Sequence, residues 1–510
     1  MFCFFLDVLY LCSKNIMPMR KIAVTFFILV TYFCQANPID VAKARQLAVT
    51  FIANSGSLKT IPRAHDAPQG QLSLAYTKKG KDGNVLYVFN RAGNQGFVMV
   101  SADDATTPIL GFSDKGSFDA AKVSEGLQAI MDCYEQQVAW ASMNSSKSAT
   151  RSKKAARIAI EPLIQTQWDQ HEPYNNLCPI DPDTGERSVL GCVAVAKAQL
   201  MYYHAYPLKG KGTCSYQWKG LTLSSDFSKV EFEWDKMKLT YDHDTPDPGD
   251  AVAKLIYNCA IASKANFGSE LTFGFYNTSE FSEYFGYKDE IKWLSMANTT
   301  PAEFEDVVYQ DLAKGLPVLF CVNDPDEWSH MLILDGYKGD GYFHMNFGWN
   351  GSDDGYYLLT AMDLGWVNFR TDQEILYNIQ PDIPGKWFLR TNDDRFFEMS
   401  NVESLEAASD NDTYYNIYDS SGKLLASKVS SVSFVYTTGT NPELCPKGDA
   451  NCDGRVNTAD IVETINAVRG NPSMRFIEFN ADANSDGKID SKDIEAIKNI
   501  ILTSESATEN

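Results

Sequence analysis

The sequence predicts an α+β chain built from several domains, and three observations lead there. Helical stretches and short strand-like pieces punctuated by Gly and Asp occur together along most of the chain. The 510 residues, at roughly 100–200 per domain, make about three or four units, each long enough to bury a core. The composition, 44% hydrophobic and 12% aromatic, is that of a globular protein. The balance of 66 acidic residues against 45 Lys plus Arg, net −21, disfavours nucleic acid or an anionic membrane surface as the main partner. Calcium and cationic peptides suit it better.

Residues 1–36 read as an export signal. Met19-Arg20-Lys21 precedes the apolar run Ile22 to Phe33, which is followed by Cys34-Gln35-Ala36, with Met17 or Met19 as the expected start. Twelve apolar residues are too few to span a bilayer. A secreted or cell-surface location is therefore expected, with no transmembrane helix in the mature chain. Residues 37–157 open with the helical stretch from Val41 (VAKARQLAVTFIA) and continue with strands at Leu86–Phe89 and Gly96–Val100. A second helical stretch, Val123 to Ala141, then runs into a Ser-rich basic linker from Met143 to Arg157, a protease-sensitive composition. Residues 158–383 are dense in Tyr, Trp, Phe and Gly and hold the largest core. Residues 384–440 form a small β-rich unit around turns at Asn392-Asp393-Asp394 and Ser420-Ser421-Gly422; Ser400–Leu405 is echoed by Ser427–Val432, 27 residues on. The tail, 445–504, is a separate module.

Three of the eleven cysteines fall in the leader, and the other eight are too scattered for a disulfide framework or a zinc knuckle. One of them has the setting of a nucleophile. Gly191 breaks the preceding loop and Cys192 opens an Ala-rich helical run, where the helix dipole and free N–H groups favour a thiolate. A base must come from six histidines. His65 lies in the first domain, His243 in an acidic loop, and His204 about 18 Å along the same helix. His330, His344 and, behind them, His171 remain; His330 opens the apolar strand Met331–Leu334 that ends at Asp335-Gly336.

At these positions the chain resembles the streptopain-like cysteine peptidases, secreted zymogens with a papain-like catalytic domain. The matching stretches are Trp168-Asp169-Gln170 with Pro173-Tyr174-Asn175, Gly191-Cys192-Val193-Ala194, Tyr203-His204-Ala205-Tyr206-Pro207, His330 with Asp335-Gly336, and Phe343–Trp349 (FHMNFGW). The earlier stretches Gly96–Asp104 and Ile109–Asp114 are similar to the family's inhibitory prosegment. The resemblance implies Cys192 as nucleophile, His330 as its base, Gln170 as an oxyanion donor, and Asn346 and Trp349 as groups that orient or shield His330, with no cofactor for catalysis and protein or peptide substrates. Two departures stand out: Ser329-His330-Met331 replaces Gly-His-Ala, and Phe347 replaces the Trp that usually follows the Asn. The rival readings are a non-catalytic adhesion or inhibitor protein on the same framework, and a thiol-dependent transferase or amidase.

The tail carries two loops of one spacing, 33 residues apart. Asp449, Asn451, Asp453, Arg455, Asn457 and Asp460 in the first, and Asp482, Asn484, Asp486, Lys488, Asp490 and Asp493 in the second, occupy the ligand positions of a calcium loop, with Gly at the sharp turn. The basic residue in each set offers its backbone carbonyl. Two Ca²⁺ ions are expected. Asp instead of Glu closes each loop, and each loop precedes a helical run, so the tail resembles a type I dockerin, which implies a cohesin-type protein partner.

Overall fold

The computed structural model describes residues 37–54, 72–81, 83–144, 157–241, 249–324, 328–362, 372–382, 386–391, 396–398, 402, 404–407, 414–437, 447–450, 456, 458–469, 476, 478–484, 486 and 488–507. Residues 1–36, expected as an export signal, and most of the basic linker lie outside them.

The N-terminal domain runs α1 (Val41–Asn54), β1 (Leu72–Gly80), β2 (Gly83–Arg91), β3 (Phe97–Ser101), β4 (Ile109–Ser113) and α2 (Glu125–Asn144). Its strands form an antiparallel meander. α1 covers one face and α2 the other, burying Ala44 and Ala48 on one side and Leu127, Ile130, Met131 and Tyr134 on the other. Ser124 caps α2, its Oγ accepting from the Leu127 N–H at 3.2 Å.

The central domain follows with β5 (Ala159–Ile160), α3 (Cys192–His204), the hairpin β6 (Thr213–Trp218) and β7 (Leu221–Asp226), α4 (Asp250–Ala262), α5 (Glu280–Phe285), β8 (Lys292–Ser295), α6 (Pro301–Leu312), β9 (Val318–Asp324), β10 (Trp328–Gly339), β11 (Tyr342–Asn346), β12 (Gly355–Leu358) and β13 (Asp372–Tyr377). A helix apolar on every side must be a buried one, and α3 is: every residue from Val193 to His204 is buried. Its one internal cation, Lys197, is neutralised where it lies, by Glu280 and by Ser263 Oγ at 2.8 Å. α6 starts on a capping box in which Thr300 and Glu303 exchange bonds, with Pro301 in the first turn.

β10 is the spine. Its first half pairs with β9, its second half with β11, and Tyr337 meets Ile160 of β5. β11 pairs with β12, and β12 with β4 of the N-terminal domain, so one sheet runs through both domains. Gly111 permits that junction, because a Cβ there would lie 2.3 Å from the Tyr357 ring.

Beyond the central domain come β14 (Lys386–Thr391), β15 (Phe396–Glu398), β16 (Ser404–Ala407), β17 (Tyr415–Tyr418), β18 (Leu424–Val429) and β19 (Ser431–Thr437). The short strands expected at 384–440 are present, but they divide. β16–β18 form their own antiparallel sheet, whereas β14, β15 and β19 extend the large sheet, β19 running parallel to β5. The tail has α7 (Thr458–Val468) and α9 (Ser491–Ala507) after the two loops, as the sequence pattern requires, with a short α8 (Glu478–Ala481) between them. Among the described residues no helix is long and apolar enough to cross a membrane.

Candidate active site

Cys192 is the first residue of α3. Gly191 precedes it at φ 83°, a left-handed conformation that favours Gly, and a Cβ there would lie 2.8 Å from the Thr272 carbonyl oxygen. The helix start thus carries the thiol at the place where the loop 268–277 crosses it. Across from it, β10 brings the Met331 N–H to 3.4 Å from Cys192 Sγ. The nucleophile named from the sequence therefore touches the strand that bears His330. His330 itself is buried, 2% exposed.

The two groups are adjacent but not engaged. Neither His330 ring nitrogen has a hydrogen bond, and its Nδ1 lies 3.8 Å from Glu125 Oε2. Burial pushes the His330 pKa down, against the opposing pull of the Glu125 carboxylate and the Phe347 backbone. Burial likewise pushes the Cys192 thiol up to about 11, a rise that the Met331 N–H only moderates and the nearby Glu125 adds to. The lowering expected from the helix start is thus overridden in this state, and thiol and imidazole are both neutral.

Glu125 and Gly126 open α2 and belong to the N-terminal domain. A Cβ on Gly126 would lie 2.5 Å from Phe347 Cδ1 and 2.8 and 2.9 Å from His330 Cδ2 and Nε2, so the backbone of α2 is seated directly on the histidine. Ser124 fixes this contact by donating its N–H to Asp353 Oδ2 at 2.8 Å. Sequence reasoning missed Glu125 and Gly126. The one available signal was a Gly in the first turn of an otherwise good helix, a residue that costs helix stability unless close approach demands it.

The remaining residues sort by their partners. Gln170 is buried beside the loop that enters α3, its carbonyl accepting from the Leu190 N–H at 3.2 Å. Asn346 makes no hydrogen bond to His330: its Nδ2 donates to the Thr166 carbonyl at 2.9 Å, and its Oδ1 accepts from Gln199 Nε2 at 3.0 Å and the Gly348 N–H at 3.1 Å. Gln199, buried in α3, takes Thr166 Oγ1 at 2.8 Å on its Oε1 and so joins Asn346 to the segment leading to Gln170. Trp349 packs near His171, ring centroids 6.2 Å apart, with its own Nε1 buried and unpartnered. His171 is half exposed and bonds Asp169 at 2.9 Å, which raises its pKa.

His344 is held elsewhere. Its Nδ1 bonds Asp335 at 2.6 Å, and although burial opposes the charge, this carboxylate raises the His344 pKa. Nearby, burial pushes Asp354 up to about 7, against the opposing influence of His344 and a 2.9 Å bond from the Phe347 N–H. These groups brace β10 and β11 at the junction between domains, and His204 bonds Tyr287 at 3.0 Å. Among the described histidines, His330 is the one whose strand neighbour, Met331, is shown bonded to Cys192.

In the tail, Asp449, Asp460 and Asp493 are fully buried. Asn451, Asp453, Arg455 and Asn457 lie outside the described residues. In the second loop, the Asp486 N–H donates to Asp482 Oδ1 at 3.0 Å and to Asn484 Oδ1 at 2.8 Å, and Asp493 accepts from the N–H groups of Asn484 at 3.2 Å and Asp490 at 2.9 Å. Asp486 and Asp490 accept from the Lys488 and Lys492 N–H groups at 3.1 and 2.7 Å. Among the described residues no three His, Cys, Asp or Glu side chains converge as a metal cluster. The donor set nonetheless fits a hard cation, being made of carboxylate and amide oxygens with a buried Asp closing the loop.

Comparison with known proteins agrees with this geometry. Residues 168–357, which include Cys192 and His330, match the Peptidase C10 family. The central domain thus carries the Peptidase C10 match. Residues 36–138 match the Spi protease inhibitor and residues 447–502 the dockerin type I domain, a kind that typically binds calcium. The chain is 28% identical to the thiol protease/hemagglutinin PrtT of Porphyromonas gingivalis, over 68% of this chain and 42% of that protein. It is 27% identical to streptopain of Streptococcus pyogenes, over 65% of this chain and 89% of streptopain. It thus spans less than half of the first relative and most of the second. A fragment of prointerpain A from Prevotella intermedia, a Cys-to-Ala mutant, is similar in structure at 26% identity and TM-score 0.54, covering 62% of this chain and 100% of the fragment. The C10 domain with its Spi-like partner is therefore an α+β cysteine-peptidase framework.

Proposed function

We propose that the chain is an exported cysteine endopeptidase made as a zymogen, which hydrolyses peptide bonds through Cys192 and His330. The observation that carries this reading is the seating of Gly126 on His330 while the thiol lies against the next residue of the same strand. An inhibitory domain that touches the base of a nucleophile–base pair has a use only where that pair is reactive.

Removal of α2 takes away the Glu125 carboxylate and uncovers both groups, which reverses the causes that keep them neutral. His330 then accepts the thiol proton and Cys192 Sγ attacks the peptide carbonyl. The oxyanion is met by the Cys192 N–H at the start of α3 and by the Gln170 side-chain amide. His330 returns the proton to the leaving amine, and water, deprotonated by His330, releases the acyl group from sulfur. Asn346 acts at a distance in this scheme, tying Gln199 to the segment that carries Gln170, and Trp349 walls the site beside His171.

The dockerin module holds two calcium ions, one on Asp449, Asn451, Asp453, Arg455 (through its carbonyl), Asn457 and Asp460, the other on the matching set from Asp482 to Asp493. It docks the enzyme on a cohesin-type partner. A calcium ion bound there would offset the negative charge of each carboxylate-rich loop. The test is casein hydrolysis and labelling by an epoxide thiol-protease inactivator after the linker is cut, beside Cys192→Ala. One label at Cys192 with hydrolysis is expected. No label and no hydrolysis in the freed domain would leave the adhesion or inhibitor reading.

A further inference from the structure

The described residues resume at Arg157, and the first of them are gripped from two sides. On one side is the C10 domain. The Arg157 guanidinium lies 4.7 Å over the Tyr309 ring and 2.5 Å from Asp306, the Tyr309 hydroxyl donates to the Ile158 carbonyl at 3.4 Å, and Ile160 pairs with Tyr337. On the other side is the β unit. The Tyr415 hydroxyl donates to the Arg157 carbonyl at 2.5 Å, β19 pairs in parallel with β5 through Ser431–Ala159 and Val432–Ile160, and the Glu161 N–H donates to the Val432 carbonyl at 3.4 Å. Ile158 and Ile160 are buried.

A strand of two residues has little hold of its own, and a freshly cut terminus frays unless tied down. This one cannot be allowed to fray. Three residues past Ile160, the Leu163 and Ile164 N–H groups bond the Asp335 carbonyl and carboxylate at 2.8 and 2.9 Å, and the same segment continues to Thr166, Trp168 and Gln170. The β unit lies outside the stretches matched to known families, 168–357 and 447–502.

We propose that the β unit of residues 386–437 is a clamp for the first strand of the C10 domain. It takes up Arg157–Glu161 as an added strand, keeps that segment in register after the N-terminal domain is cut away, and makes Arg157 the downstream limit of the cleavage that frees the enzyme. Its use in maturation rests on the zymogen reading; its grip on the strand does not.

The test is limited trypsin digestion of the full chain carrying Cys192→Ala, which cannot process itself. Trypsin cuts after Lys and Arg, and the linker offers Lys147, Arg151, Lys153, Lys154 and then Arg157. Sequencing of the C-terminal fragment should give starts no later than Ala155, with the Arg157–Ile158 bond intact. Adding Tyr415→Phe should speed cleavage of that bond about five-fold, the effect of losing one hydrogen bond when proteolysis follows the open population. Adding Val432→Pro, which breaks the strand pairing, should make Ile158 the dominant start. A fragment beginning at Ile158 as fast as at Ala155 without these variants overturns the clamp, as does unchanged protection in Tyr415→Phe, the variant that spares the fold. Because Cys192 is absent throughout, failure here leaves the peptidase reading untouched, and failure of that reading leaves this result standing.

Discussion

Replacing Gly126 with Ala should loosen the inhibitory contact. The added Cβ would lie 2.5 Å from Phe347 Cδ1 and 2.8 and 2.9 Å from His330 Cδ2 and Nε2. Ordinary carbon contacts begin at about 3.5 Å, so the start of α2 must retreat by about 1 Å or His330 and Phe347 must give way. Both are buried, and Ser124 pins the helix start to Asp353, so little slack is available. Overpacking of this kind costs about 1–3 kcal/mol. Released through opening of the contact, it makes the open form about 5–150 times more populated. The assay is the initial rate of epoxide labelling at Cys192 in the full chain, counted by intact mass on uncut molecules only. The roughly 1 kcal/mol by which a helix favours Ala over Gly acts on the closed and open forms alike, because α2 is helical in both, and so does not offset the clash. Labelling of Gly126→Ala at the unsubstituted rate, or more slowly, would therefore refute the claim that α2 holds the site by direct contact.

Further outcomes follow from the same geometry. In the uncut chain the thiol pushed up to about 11 means that only about one molecule in 10⁴ is thiolate at pH 7, so iodoacetamide labelling should rise about tenfold per pH unit toward that value. Once the N-terminal domain is gone the profile should shift to lower pH; an unchanged profile would show that α2 does not control the thiol. Gln170→Ala in the freed enzyme should lower kcat about 10²–10³-fold with KM little changed, as expected for an oxyanion donor, and a loss confined to KM would remove it from that role. Gln199→Leu, which removes the bridge from Asn346 Oδ1 through Gln199 to the Thr166 hydroxyl, should lower kcat by a smaller factor while leaving the rate of Cys192 labelling intact. Chelation of calcium should lower the melting temperature of the tail and leave casein hydrolysis unaffected.

Much of this was legible in the sequence because it is written in local pattern. The Ala-rich run after Gly191 announces a buried helix with Cys192 at its start, and the apolar strand after His330 places that histidine on a rigid element. Elimination among six histidines left three, His330, His344 and His171, and the family resemblance singled out His330. What escaped depends on contacts between distant segments. Gly126 meets His330 across 204 positions of sequence, and nothing around it but its own poor helix propensity marks the place. Asn346 was expected near His330, yet Gln199, an unremarked residue in the middle of α3, claims its amide. β5 has only two residues, too few for any periodicity, so its pairing with β19 and the division of the β unit between two sheets could not be read ahead. The thiol's expected lowering at a helix start failed for a like reason: the dipole is local, whereas the burial that outweighs it comes from packing against segments distant in sequence, β10 among them.

The central claim, latency imposed on a Cys192–His330 peptidase, is tested most directly by following the intact mass of the chain from Asn37 onward, with and without Cys192→Ala, and then adding the epoxide inactivator. The account predicts that the unsubstituted chain alone shortens within residues 143–157, upstream of Ile158, and then takes one label at Cys192. If an outside protease must cut the linker, the freed domain should still take the label and hydrolyse casein. A freed, folded domain that takes no label and leaves casein whole would contradict it.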